Sequence, residues 1–215
     1  MLKKKRKAVR RRKRRTLKDR QKDGEKNRRK EAIALIVLRA LLTAITAAYL
    51  CWIFSNSVKT APESSAASEK VLEAVQTVAD KVLGEGKLNV SMYFIRKAAH
   101  FCEFALFAFL AFFTSYSYVF KKPHAAAVSM ACAAALALLC GGADEIIQIF
   151  SEGRGPAAFD VMIDFSGGVA GAFCALLILL IAKSVAKKRR KKRDRRNIPG
   201  ENTFAPQNEE ERQQL

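Results

Sequence analysis

Four stretches of this chain are apolar for long enough to cross a bilayer, and each is flanked by polar or charged residues. They cover about 32–54, 95–120, 125–150 and 159–182. A helix needs about 20 mainly apolar residues to span the hydrocarbon. None of the four alternates polar and apolar residues as a barrel strand would, so helices must satisfy the backbone in lipid. The first stretch, AIALIVLRALLTAITAAYLCWIF, is broken only by Arg39, about two turns inside. Its side chain is expected to snorkel to the nearer headgroups.

Between the first two stretches, SEKVLEAVQTVADKVLG places Val71, Leu72, Val75, Val78, Ala79, Val82 and Leu83 on one helical face. Ser68 is the expected N-cap and Gly84 the stop signal. The pattern predicts an amphipathic helix over about 68–83, lying at the membrane boundary or packed over the bundle. SNSVKTAPESSAAS before it reads as a Ser-rich connector. The fold expected is all-α: an integral membrane bundle of four transmembrane helices with one extracytoplasmic amphipathic helix.

Charge orients that bundle. The chain carries 39 Lys and Arg against 20 Asp and Glu, a net charge of +19, and the basic residues are concentrated at the two ends. Residues 1–31 are rich in Lys and Arg, and KKRRKKRDRR begins at Lys187. An even number of spans puts both termini on one side, and the Lys and Arg excess makes that side cytoplasmic. The short KKPH loop at 121–124 agrees. The loops at about 55–94 and 151–158 then face outward. Three regions are expected: a disordered basic cytoplasmic arm over 1–31, a membrane domain over 32–182, and a basic then polar disordered tail over 183–215. Basic segments beside a membrane meet anionic lipid at about 1 kcal/mol per residue, so membrane lipid is the expected partner and nucleic acid is not. The first span is not expected to be a cleaved signal, because its basic leader is too long and no small-x-small site follows.

The five cysteines, Cys51, Cys102, Cys132, Cys140 and Cys174, all fall in apolar runs without a CxxC pair. They read as small apolar residues, not disulfides or metal ligands.

With the topology assigned, ionisable residues from separate stretches reach the same outer level. The second span opens with Arg96, Lys97, His100 and Glu103, of which the first, third and fourth share a face. The third span ends with Asp144, Glu145 and Gln148, and the fourth begins with Asp160 and Asp164. The first span adds Ser55 and Ser57, and the outer turn adds Arg154. Charges at membrane depth face the bundle interior and pair. The expected pairing sets Arg96 and Arg154 against Asp144, Glu145, Asp160 and Asp164, with His100 and Glu103 alongside. A network that only locks the helices together is the plain alternative, since acids also suit a helix N-terminus. One His in the cluster and an HxxE spacing do not make a zinc motif, so no metal and no cofactor is expected. GRGP reads as a tight turn, not a phosphate loop. Gly167 and Gly171 have the small-xxx-small spacing of closely packed membrane helices.

FSNS, IRKAAHFCEFALFAFL, DEIIQIF, GR and DVMIDFSGGVAGA together resemble the VanZ-like family of small bacterial membrane proteins, from about Tyr49 to Leu180. Two positions depart from the family pattern. Phe104 stands where Tyr is usual, and Asp164 or Ser166 stands near a usual Asn. The resemblance carries the motif onto Arg96, Lys97, His100, Glu103, Asp144, Glu145, Gln148, Arg154, Asp160 and Asp164. It implies a multi-pass protein of the bacterial cytoplasmic membrane, with a cell-envelope role and a link to teicoplanin-type antibiotic resistance.

Three functions compete. A non-enzymatic protein would use the outer polar cluster to bind or shield a cell-wall precursor, a lipid headgroup or a lipoglycopeptide. A membrane-embedded enzyme would act on a lipid or glycan headgroup, with His100 as acid/base and Glu103 or Asp144 tuning it. A transporter subunit is disfavoured, because few polar groups continue to the cytoplasmic side. No nucleophile motif accompanies His100, so the binding reading leads.

Overall fold

A computed structural model of the protein describes residues 2–84, 86–87, 89–151 and 157–196. These residues form five helices: α1 (Leu2–Ser57), α2 (Ala61–Leu83), α3 (Met92–Val119), α4 (Ala125–Ile149) and α5 (Ala158–Arg196). Among the described residues there is no strand. Four helical segments are long and apolar enough to cross a membrane: Gln21–Ser57, Met92–Val119, Ala125–Ile149 and Ala158–Arg195. The fold is therefore the all-α membrane bundle that the hydropathy pattern predicts, with α2 as the additional helix.

The chain divides into two compact units, Met1–Ala175 and Leu176–Leu215. The bundle described below lies in the first. In the second, the described residues continue α5 as a helix through its basic run. The described residues of both basic ends are helical, α1 from Leu2 and α5 to Arg196. Lys, Arg, Glu and Ala are good helix formers, and the α1 arm contains Gly24 but no Pro. Each arm extends a membrane helix that already exists, so it bears no nucleation cost. The tail beyond residue 196 lies outside the described residues.

Helix α2 begins seven residues before the expected start. Thr60 is its N-cap and Pro62 lies in its first turn, where a missing N–H costs nothing. The Glu63 carboxylate reaches back to accept from the Thr60 backbone N–H at 3.0 Å and its hydroxyl at 3.1 Å. The Ser68 hydroxyl, expected to cap, instead donates to the Ser64 carbonyl inside the helix. Gly84 ends the helix with φ of 98°, a left-handed value that favours glycine. Glu63→Ala should fray this first turn by about 1 kcal/mol, read as faster amide exchange at Ser64 and Ser65 with the rest of α2 unchanged.

The valines of α2 do not pack inward as one face. Val71, Val75, Val78 and Val82 are exposed, whereas Ala79 is buried and Leu72 half-buried. Gln76 and Asp80 tie the helix to the following turn. The Gln76 side-chain carbonyl accepts from the Val90 N–H at 3.4 Å, and Asp80 accepts from the Gly86 N–H at 3.2 Å.

Helix α3 touches α1, α2 and α4. Phe104 and Phe107 bury fully against Ile53 of α1, with Tyr49, Leu50, Phe54 and Cys140 around them. Helix α4 turns a stripe of small residues inward, Ser129, Ala133, Ala137 and Gly141, at i, i+4 spacing. Helix α5 answers with glycines. A Cβ on Gly167 would collide with the Phe101 carbonyl, one on Gly168 with the Ala137 side chain, and one on Gly171 with the Ala105 carbonyl. The small-xxx-small spacing of Gly167 and Gly171 thus marks backbone-to-backbone contact with α3.

At the opposite end of the first unit, Arg39 is held within the bundle instead of snorkelling freely. Its Nε donates to the Ser117 carbonyl at 3.0 Å, and its guanidinium lies 5.0 Å from the Tyr118 ring centroid. Ser117 lies in the last turn of α3, where carbonyls lack helical partners and attract cations. Hydroxyl pairs continue this α1–α3 seam: Thr43 with Tyr118 at 3.1 Å and Thr46 with Thr114 at 2.8 Å.

Candidate functional site

The polar cluster forms where the end of α1, the start of α3, the end of α4 and the start of α5 meet. Each helix contributes through its register. Asp144 and Gln148 stand one turn apart on the buried face of α4, and the Gln148 amide donates to Asp144 Oδ2 at 2.7 Å. The Ser57 hydroxyl, in the last turn of α1, donates to Asp144 Oδ1. The Ser151 hydroxyl, just past α4, donates to the Ser57 carbonyl at 2.9 Å. The two helix ends are therefore stitched together through Ser57.

Helix α5 brings Asp164 to the same place. Asp144 and Asp164 are both fully buried, at 0% exposure. Gly141 makes room for this approach, because a Cβ there would stand 3.1 Å from the Asp164 Cβ. From α3, His100 Nδ1 lies 3.5 Å from Asp164 Oδ1 and 4.0 Å from Asp144 Oδ2. His100 Nδ1 and both Asp164 oxygens are buried without a hydrogen-bond partner.

The remaining acids are placed differently. Asp160, in the first turn of α5, pairs with Lys97 rather than Arg96, and Lys97 also lies 5.1 Å from the Tyr93 ring centroid. Glu145 Oε2 accepts from the Ala157 N–H at 2.8 Å, just before α5 begins. That contact anchors the entry to α5, where a negative charge also suits the helix dipole. Arg154 lies outside the described residues. Arg96 is half-buried and makes no ion pair among the described residues. The expected pairing of Arg96 with the acids is thus replaced by Lys97–Asp160 and by His100 between Asp144 and Asp164.

A cavity of about 350 Å³ opens beside this cluster, between the end of α1, α2 and the start of α3. Its wall includes Trp52, Asn56 and Lys59 from α1 and the turn after it, Ser64 and Ser68 from α2, and Arg96, His100 and Glu103 from α3. The Lys59 ammonium donates to the Asn56 side-chain carbonyl at 2.8 Å. Two cations, the Glu103 carboxylate and several hydroxyl and amide groups thus line a space that the half-buried His100 also reaches, with Asp144 and Asp164 on the other side of its ring nitrogen. Such a wall can hold a small anionic group and orient it by hydrogen bonds.

The sequence names ten of these residues, Ser57 among them, but not Ser151, Asn56, Lys59 or the wall contributed by α2. The FSNS motif was the available signal, since it contains both Asn56 and Ser57.

Comparison with known proteins gives one finding. The family model for VanZ/LLP1 matches residues 40–180, more than half of the chain and all of the cluster from Ser57 to Asp164. No curated protein and no solved structure matches.

Proposed function

The chain belongs to the VanZ/LLP1 family, and on that premise we propose that it is a membrane protein of the cell envelope whose cavity binds a phosphate-bearing lipid headgroup, such as that of a lipid-linked cell-wall precursor. One observation carries this reading: Arg96 stands half-buried in the cavity wall with no acid paired to it among the described residues, and Lys59 stands in the same wall. A guanidinium that no described carboxylate neutralises is a ready partner for phosphate oxygens. A volume of about 350 Å³ suits a small headgroup.

Both basic ends are assigned to the cytoplasmic side by the positive-inside rule, which puts the cavity at the outer headgroup level of the cytoplasmic membrane. The exposed valines of α2 then meet the outer membrane boundary. The basic ends should bind anionic vesicles in a salt-sensitive way, with a co-sedimented fraction that falls as ionic strength rises. Equal binding to neutral vesicles would remove that assignment.

The headgroup reading is tested by native mass spectrometry of the purified protein offered anionic and zwitterionic lipids together. Wild-type protein should retain the anionic lipid, and Arg96→Ala should retain it about tenfold more weakly, the value of a charge-assisted hydrogen bond of roughly 1.5 kcal/mol or more. No preference between the two lipids in the wild type would overturn it.

A second reading, chemistry on the bound headgroup with His100 and Glu103 as acid and base, is favoured by His100 lining the cavity while two carboxylates stand behind it. It requires turnover of a headgroup in a lipid panel, and binding without turnover leaves the binding reading alone.

A further inference from the structure

We propose that His100, Asp144 and Asp164 form a binding site for a divalent transition cation of the Mn²⁺ or Zn²⁺ class. One ligand atom from each residue lies within 4.8 Å of the others, and the three come from different helices, α3, α4 and α5. That origin is why no local spacing in the sequence announces the site.

The distances discriminate between two explanations of the cluster. A good N–H···O hydrogen bond measures about 2.7–3.2 Å. His100 Nδ1 is 3.5 Å from one carboxylate and 4.0 Å from the other, too far for either. Two atoms each about 2.1 Å from a shared ion are about 3.4 Å apart at a tetrahedral angle and about 4.2 Å apart in line. Both His100–carboxylate separations fall inside that interval.

Unmet polarity points the same way. Asp164 is fully buried, and neither of its oxygens has a hydrogen-bond partner. The buried Nδ1 of His100 has none either. Buried polar groups are expected to be paired, and a bound cation would satisfy all three atoms together. Charge agrees. Lys97 is committed to Asp160, and among the described residues only His100 stands within ion-pair distance of Asp144 and Asp164, so even a protonated His100 leaves two buried carboxylates with one positive charge. A divalent ion removes that imbalance.

The surroundings have the form of a ligand-orienting shell. Ser57 and Gln148 both donate to Asp144 and fix its plane, as outer partners of metal-bound carboxylates do. An imidazole nitrogen among the ligands selects transition ions over Ca²⁺, which takes oxygen. His100 also lines the cavity, which gives the ion an entry path and room for a further ligand.

The test uses the full chain in detergent, stripped with chelator and then dialysed against Mn²⁺, Zn²⁺ or Ca²⁺ without added lipid. Elemental analysis should find about one Mn²⁺ or Zn²⁺ per chain, and either ion should raise the unfolding temperature of the wild type. Asp164→Asn and His100→Gln should each bind at least about 100-fold more weakly, and Ser57→Ala about tenfold, whereas the surface change Glu73→Gln should bind as wild type. The wild-type measurements stand even if a variant does not fold. Absence of stoichiometric uptake and of a thermal shift would overturn the proposal, as would equal uptake of Ca²⁺. Because no lipid is present, failure here leaves the headgroup reading standing.

Discussion

Gly171→Val should be among the most destabilising single changes in the bundle. Any Cβ at this position would overlap the Ala105 carbonyl of α3, and the obstacle is backbone, which cannot swing aside as a side-chain tip can. Overpacking a well-filled core costs about 1–3 kcal/mol where neighbours can give way, so about 3 kcal/mol or more is expected here. The consequence reaches the site, because α5 carries Asp160 and Asp164 and is held against α3 by Gly167 and Gly171. Gly142→Ala is the matched comparison. Nothing lies within 4 Å of a Cβ at Gly142, and alanine favours a helix over glycine by about 1 kcal/mol. Thermal unfolding in detergent should therefore separate the two variants in opposite directions. Equal melting of Gly171→Val and wild type would show that α5 is not packed as described.

Asp144→Ala is expected to be comparably costly for a different reason. Its buried carboxylate accepts from both Ser57 and Gln148, so its removal takes the acceptor from the Gln148 amide and breaks the link from Ser57 to α4. Breaking a buried charged network in this way costs about 3–5 kcal/mol. Asp144→Asn should cost clearly less, since an amide can accept from Gln148 on one side and donate to the Ser57 hydroxyl on the other. A double-mutant cycle between Asp144→Ala and Ser57→Ala should show a coupling of about 1 kcal/mol or more, because the two side chains share a bond. Additive effects would mean that the stitch between α1 and α4 carries no energy.

Much of this architecture can be read from the chain itself. Four apolar stretches set the spans, and acids at their ends had to converge once the topology was assigned. Which charges pair was not legible. Arg96 and Lys97 are neighbours in sequence but about 100° apart around the helix axis, so a small difference in rotation decides which meets Asp160. The start of α2 was masked by a Ser-rich stretch that reads as a connector, although Thr60 and Glu63 carry the cap. The Arg39 seam was hidden because Thr and Tyr hydroxyls look neutral in a hydropathy pattern and Ser117 contributes only its carbonyl.

We propose an anionic headgroup in the cavity between α1, α2 and α3. Photocrosslinking with a lipid that bears a reactive group beside its headgroup phosphate tests it most directly. Adducts should concentrate on the peptides containing Trp52 to Lys59 and Arg96 to Glu103, and Arg96→Glu should abolish them. Adducts confined to other surfaces of the bundle, or unchanged in Arg96→Glu, would contradict the account.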